Sequence, residues 1–151
     1  MGTKYQGTAV EIQALNTYIK LTRAAESVVT RTNRHLGQYN LTTSQFGALE
    51  ALYHLGRIPQ IELAQKLLLS TANITTVLQN LEKRGLVQRK RDLEDQRYMQ
   101  VTISDAGRAL IEQILPEHIR IIVADMSILT TEEQVTLAAL CRKLGLGKDT
   151  P

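Results

Sequence analysis

Apolar and polar positions alternate along this chain at two different periods. From Ala9 to Leu36 the apolar residues Ile12, Leu15, Ile19, Ala25, Val28, Val29 and Leu36 recur at helical spacing, with no Pro or Gly before Gly37. A helix that long exceeds what a small domain covers, so its stripe predicts a second subunit. Gly37–Leu41 is a break. Thr42 and Gln45 then form a capping-box pattern ahead of the stripe Phe46, Leu49, Leu52 and Leu55, which Gly56 ends. Ile58-Pro59 is an extended link into a short helix over Gln60–Leu68, expected to bury Ile61, Ala64, Leu67 and Leu68. Ser70 or Thr71 caps the next helix, where Ile74, Val77, Leu78 and Leu81 stand at i, i+3, i+4 and i+7 and Gly85 is the stop.

The period then changes to two. Leu86–Arg91 and Tyr98–Ile103 are predicted strands, joined by an Asp-containing turn over Asp92–Gln96. Ser104 caps a further helix whose apolar face includes Leu110, Ile111, Ile114, Leu115, Ile121, Ile122 and Met126, with a kink or change of packing expected at Pro116. Thr130 and Glu133 repeat the capping box before a last helix ending near Leu144, with Gly145 beyond it and Gly147–Pro151 frayed, as are Met1–Thr8. Two short helices with a tight junction followed by a hairpin predict a winged helix-turn-helix over 41–104. The fold class is thus mainly α with a small β-hairpin wing. Residues 1–40 and 105–151 are expected to form a helical dimerisation region.

Composition sharpens this. The net charge is only +3, but between Lys83 and Arg97 six basic residues face three acidic ones, a surplus equal to that of the whole chain. Aromatics are 4% with no Trp, so stacking platforms for single-stranded nucleic acid are disfavoured. The one cysteine, Cys141, allows no intrachain disulfide and fits a reducing compartment; on the last helix it reads as a buried, inert thiol. No leader and no long apolar run is present, so a soluble, unexported, cytoplasmic protein without membrane contact is expected.

Double-stranded DNA is the partner this chemistry suits. Ser70 and Thr71 open the predicted reading helix. Asn73, Thr75, Thr76 and Gln79 are short polar side chains able to address base edges in a major groove, and Asn80, Lys83 and Arg84 are placed to hold phosphates. Arg97, with Asp95 two residues earlier to direct it, suits the negative potential of a narrow minor groove. Arg89, Lys90 and Arg91 would add phosphate contacts. The ordinary alternatives are a solvated helix face, an exposed ion pair and a solubilising strand edge. His35, His54 and His118 show no metal-ligand spacing, and no nucleophile–base, phosphate-loop or paired-carboxylate pattern occurs, so neither a metal, a cofactor nor an enzyme is expected.

The stretch Asp95-Gln-Arg97-Tyr-Met-Gln-Val101-Thr-Ile-Ser104-Asp-Ala-Gly107 resembles the wing signature of the MarR family of bacterial transcription regulators, with Ile103 and Ser104 where Leu and Thr are usual. Thr43-Ser-Gln45-Phe46, Ile61-Glu-Leu63-Ala64 and Leu81–Val87 are also similar to family segments, and the likeness runs from about Val10 to Leu144. The resemblance implies an intertwined homodimer. It would bind a pseudo-palindrome whose half-sites lie about one helical turn apart. It further implies release by a small-molecule effector, often an aromatic acid, in a cleft that Arg34, His35, Tyr39 and Tyr53 would line. Two readings stay open beside this dimeric, ligand-released repressor: a winged helix used for protein association, and a thiol redox sensor through Cys141.

Overall fold

The computed structural model describes residues 2–147. The chain forms α1 (Ala9–Asn33), a 3-10 helix (Arg34–Tyr39), α2 (Thr43–Leu55), β1 (Ile58–Pro59), α3 (Gln60–Lys66), α4 (Thr71–Lys83), β2 (Val87–Arg91), β3 (Met99–Ile103), α5 (Asp105–Met126) and α6 (Thr131–Leu146). It separates into two compact units: a helical one, through Thr32 and from His118 on, and a winged one, Asn33–Glu117.

The winged unit is wider than 41–104 because its core recruits residues on both sides. Leu36, Ile111 and Ile114 are buried in one cluster with Phe46, Leu49, Leu52, Leu63, Ile74, Leu78, Leu81, Val87 and Val101. The hairpin β2–β3 is antiparallel, with Val87 opposite Ile103 and Arg91 opposite Met99. The extended link is a third strand: β1 pairs with β3, Ile58 opposite Val101, giving the order β1-β3-β2. Two residues carry no alternation of their own, so only the partner strand reveals β1.

Several helix boundaries differ from the sequence expectation. Gly37 does not break the chain; the turn comes at Asn40, left-handed at φ 53, where Leu41 N–H reaches the Leu36 carbonyl. Leu55 is 51% exposed and Ala48 buried, because steps of three residues drift about 60° each around a helix, leaving Leu55 opposite Phe46. In α3 the buried pair is Leu63 and Ala64, while Ile61 is exposed and Leu68 is 93% exposed. Leu68 lies past the helix end with φ 54. Its N–H bonds Gln65 O at 3.2 Å and Leu69 N–H bonds Ala64 O at 2.9 Å. That is the left-handed C-terminal turn that normally uses glycine. Gly85 makes the same turn after α4, at φ 69.

In the helical unit Gly2–Thr8 is not frayed: Thr3 N–H bonds the Asn16 side chain at 2.7 Å, and Thr8 and Glu11 form a reciprocal cap on α1. Arg31 makes a bidentate bond to Asp125, tying α1 to α5. α5 continues through Pro116, and the division between the units falls one residue later. The Thr130–Glu133 capping box forms as expected. α6 runs past Gly145 to Leu146 and is capped by Gly147, φ 71; Lys148–Pro151, and Met1, lie outside the described residues. Among the described residues α6 has no buried side chain, so Cys141 is exposed, not buried as its residue type suggested. No helix of the described residues is long and apolar enough to cross a membrane.

Candidate nucleic-acid interface

Helix α4 divides cleanly by face. Ile74, Leu78 and Leu81 are buried, with Val77 packed against the same core. Thr71, Asn73, Thr76, Gln79, Asn80 and Lys83 are exposed on the other side. Ser70 is the N-cap, its hydroxyl accepting from Asn73 N–H at 3.2 Å. The first turn holds no acidic residue, so the partial positive charge of the helix N-terminus is not offset there.

Thr75 and Thr76 differ from each other. Thr75 is half-buried; its hydroxyl donates to Thr71 O at 2.8 Å and accepts from Gln60 Nε2 at 3.0 Å. That leaves Thr75 fixing α4 against the start of α3, with little capacity to address an outside group. Gln60 is a positioning residue the sequence did not single out, since nothing local links it to Thr75. Thr76 donates to Ala72 O at 3.2 Å, which leaves its methyl group and an acceptor lone pair outward.

The cations take separate roles. Arg84 donates to Asn40 O at 2.7 Å and Tyr39 O at 3.1 Å, satisfying carbonyls at the end of the 3-10 helix. Arg89 is paired with Glu82 at 2.9 Å, its side chain only 17% exposed, which joins β2 to α4. Arg91 donates to Gln96 O at 2.7 Å and holds the hairpin tip. Lys83 and Lys90 are exposed.

The tip itself is rigidly built. Asp92 Oδ1 accepts from Glu94 N–H at 2.8 Å and Asp95 N–H at 3.0 Å, and its Oδ2 accepts from Gln100 Nε2 at 2.9 Å. The Asp95 and Glu94 N–H groups hold the Asp92 carboxyl below the usual carboxylate range. Asp95 accepts from Arg97 Nε at 2.9 Å and Nη2 at 2.7 Å, and this bidentate guanidinium contact likewise lowers the Asp95 carboxyl. Arg97 is still 83% exposed in its side chain, with Tyr98 beneath it at 6.0 Å from the ring centroid. An exposed guanidinium on a stiff hairpin, aimed by a carboxylate, sits beside a helix with a bare polar face. The arrangement is built to meet an anionic, grooved partner.

Over 134 residues the chain is 32% identical to the HTH-type transcriptional regulator MhqR of Bacillus subtilis, covering 89% of this chain and 92% of that protein. The MarR family model matches residues 41–99. The chain belongs to the MarR family. It is therefore a winged-helix, DNA-binding transcription regulator. A probable transcriptional regulator from Pseudomonas aeruginosa has the same fold at TM-score 0.75 and 33% identity, over 83% of this chain and 94% of that one. BpsR of Bordetella bronchiseptica, whose DNA binding is regulated by 6-hydroxynicotinic acid, superposes at TM-score 0.78 and 27% identity over 85% and 98% of the two chains.

In this MarR-family chain the C-terminal half of the wing signature is structural. Ser104 Oγ donates to Gly85 O at 2.6 Å and accepts from Gly107 N–H at 3.0 Å, while Ser104 N–H bonds Leu86 O. These bonds knot the end of α4, the base of the hairpin and the start of α5. A Cβ at Gly107 would run into the Leu86 carbonyl, which is why glycine stands there.

The effector candidates lie on two elements of the winged unit. Arg34, His35 and Tyr39 all lie on the 3-10 helix, Arg34 exposed and the other two half-buried. Tyr53 is on α2, packed between Arg108, 5.2 Å from its ring, and Glu112, 3.4 Å from its hydroxyl. Tyr39 and Tyr53 both pack against the winged core. A cavity of about 1010 Å³ along α1 and α6 and one of about 580 Å³ on the wing are lined by other residues.

Proposed function

We propose that this regulator is a homodimeric repressor that holds a pseudo-palindromic operator and leaves it when a small aromatic acid binds. Each subunit lays α4 in a major groove, with Asn73, Thr76 and Gln79 toward base edges. Thr71, Asn80, Lys83 and Lys90 hold the backbone, and Arg97 enters the flanking minor groove. Ser70, Thr75, Arg84, Arg89, Arg91 and Asp95 act by shaping that surface. The observation that carries the reading is Arg97, exposed yet clamped in direction by Asp95 on a stiffened tip.

Dimerisation through the helical unit is supported by its missing core. Every buried apolar side chain among the described residues falls between Leu36 and Ile114, in the winged unit. Val135, Leu137, Leu140 and Leu144 are 44–65% exposed along α6, and Ile119, Val123 and Ile128 are exposed as well. A helical unit without interior apolar residues needs a second copy to cover it. Within the terminal segments 1–40 and 105–151, the helical unit, through Thr32 and from His118 on, is thus the proposed dimerisation region.

Release follows if the effector binds a dimer geometry whose two reading helices miss the groove period. Arg34, with His35, Tyr39 and Tyr53, supplies a cation and ring surfaces suited to an aromatic carboxylate. That BpsR answers to 6-hydroxynicotinic acid supports this class of ligand. The protein is cytoplasmic in this reading, works on the nucleoid, and performs no catalysis. Anisotropy titrations with a duplex from upstream of the protein's own gene test it. Arg97→Ala should weaken binding roughly tenfold or more, and benzoate-type acids should release the wild-type complex. Wild-type indifference to duplex DNA at low salt would end the reading.

A further inference from the structure

The outer face of the wing sheet holds a charge that lies far away in sequence. Ile58 and Val101 are opposed and both buried, so strand alternation turns Arg57 to the other face of the sheet. There it meets Gln88, Lys90, Gln100 and Thr102, which line with it a hollow of about 580 Å³ running toward the hairpin tip. Arg57 and Lys90 are both exposed, and the side chain of neither forms an ion pair or hydrogen bond among the described residues. The nearby carboxylate does not hold Arg57. Asp92 lies close enough for Arg57 to help keep its carboxyl ionised, but the two side chains form no ion pair, and the Asp92 carboxylate is engaged by Glu94 N–H, Asp95 N–H and Gln100.

Two cations without an ion pair therefore stand beside β3, Arg57 just before β1 and Lys90 on β2, in a hollow that reaches the hairpin tip at Asp92, Leu93 and Glu94. We infer that Arg57 contacts a DNA phosphate, extending the footprint of the wing from its tip along its outer face. The inference rests on the wing's proposed role in the minor groove. When Arg97 enters the groove, a backbone strand must pass beside the hairpin, and these cations displace the counterions condensed on its phosphates into solution. A free carboxylate could meet the same two side chains, but it would leave no mark on the salt dependence of DNA binding.

Anisotropy titrations of the full chain with the upstream duplex, across a salt series, decide the point. Arg57→Ala should weaken binding to specific and unrelated duplexes alike and lower the salt slope by about 0.9 for each chain bound. Arg57→Lys, which keeps the charge, should restore the slope, and both variants should melt as wild type. If Arg57→Ala leaves the slope unchanged, at wild-type or reduced affinity, the inference is overturned. Parallel titrations of Lys90→Ala and Arg97→Ala separate the two readings: unchanged binding in those as well would discard the wing's role itself.

Discussion

Leu68 shows how far one residue can depart from what its neighbours prepare. It takes a left-handed conformation that disfavours a side chain by roughly 1–2 kcal/mol, and almost all of that side chain is in solvent. Glycine would relieve the backbone and forfeit some unfolded-state entropy. Leu68→Gly is accordingly expected to raise stability by roughly 0.5–1 kcal/mol, read as a higher Tm with unchanged DNA affinity. Arg84 is the opposite case. Its two bonds to the Tyr39 and Asn40 carbonyls make it a strut, so Arg84→Ala should lower stability by about 1 kcal/mol. Its salt slope for DNA should match wild type; a slope reduced by a full phosphate would instead make Arg84 a backbone contact. Basic residues of one short stretch read alike in sequence, and only their distances to Glu82, Gln96, Tyr39 and Asn40 separate struts from free charges.

At the scale of the element, the wing is a hairpin whose tip has no glycine and is ordered by carboxylates instead. Asp92 is held low by the Asp95 and Glu94 N–H groups and Asp95 by Arg97. A lowered carboxyl contributes order above its unfolded value and loses it as pH falls through the folded one. The tip should therefore keep its shape down through the ordinary value of 3.8 and loosen only below it. Amide shifts of Glu94, Asp95 and Arg97 followed from pH 7 to 3 would check this; a transition near pH 5 would contradict it. At the hairpin's base, Gly107→Ala drives a methyl group into the Leu86 carbonyl. A loss of roughly 1–3 kcal/mol is expected in thermal melts. The periodicities, both capping boxes seen in the sequence and the stop at Gly85 were legible because each is a local pattern. The strand β1 and the left-handed turn at Leu68 were not, since one needs β3 and the other uses a residue that gives no sign of it.

For the whole molecule the prediction concerns association. α6 exposes Leu137, Leu140 and Leu144, and the helical unit holds no buried apolar residue among those described. Leu140→Arg with Leu144→Arg should shift the species seen in light scattering from dimer toward monomer. On the proposed dimeric reading, in which two half-sites take paired helices, affinity for duplex DNA should fall with it. A monomer in the wild type at micromolar strength would contradict the dimeric reading.

What the chain alone determined is the order of its parts. A period of 3.6, then of 2, then of 3.6 again, punctuated by caps and glycines, specifies helices, a hairpin and a winged helix-turn-helix, because these depend on neighbours within a few residues. The tertiary structure decided which polar groups are free. Arg84 and Arg89 are spent on carbonyls and on Glu82, Thr75 is bound to Gln60, and Arg57 is brought beside Lys90. Hydrogen-bond donors are consumed by whatever lies within about 3 Å, and no spacing along the chain encodes that distance.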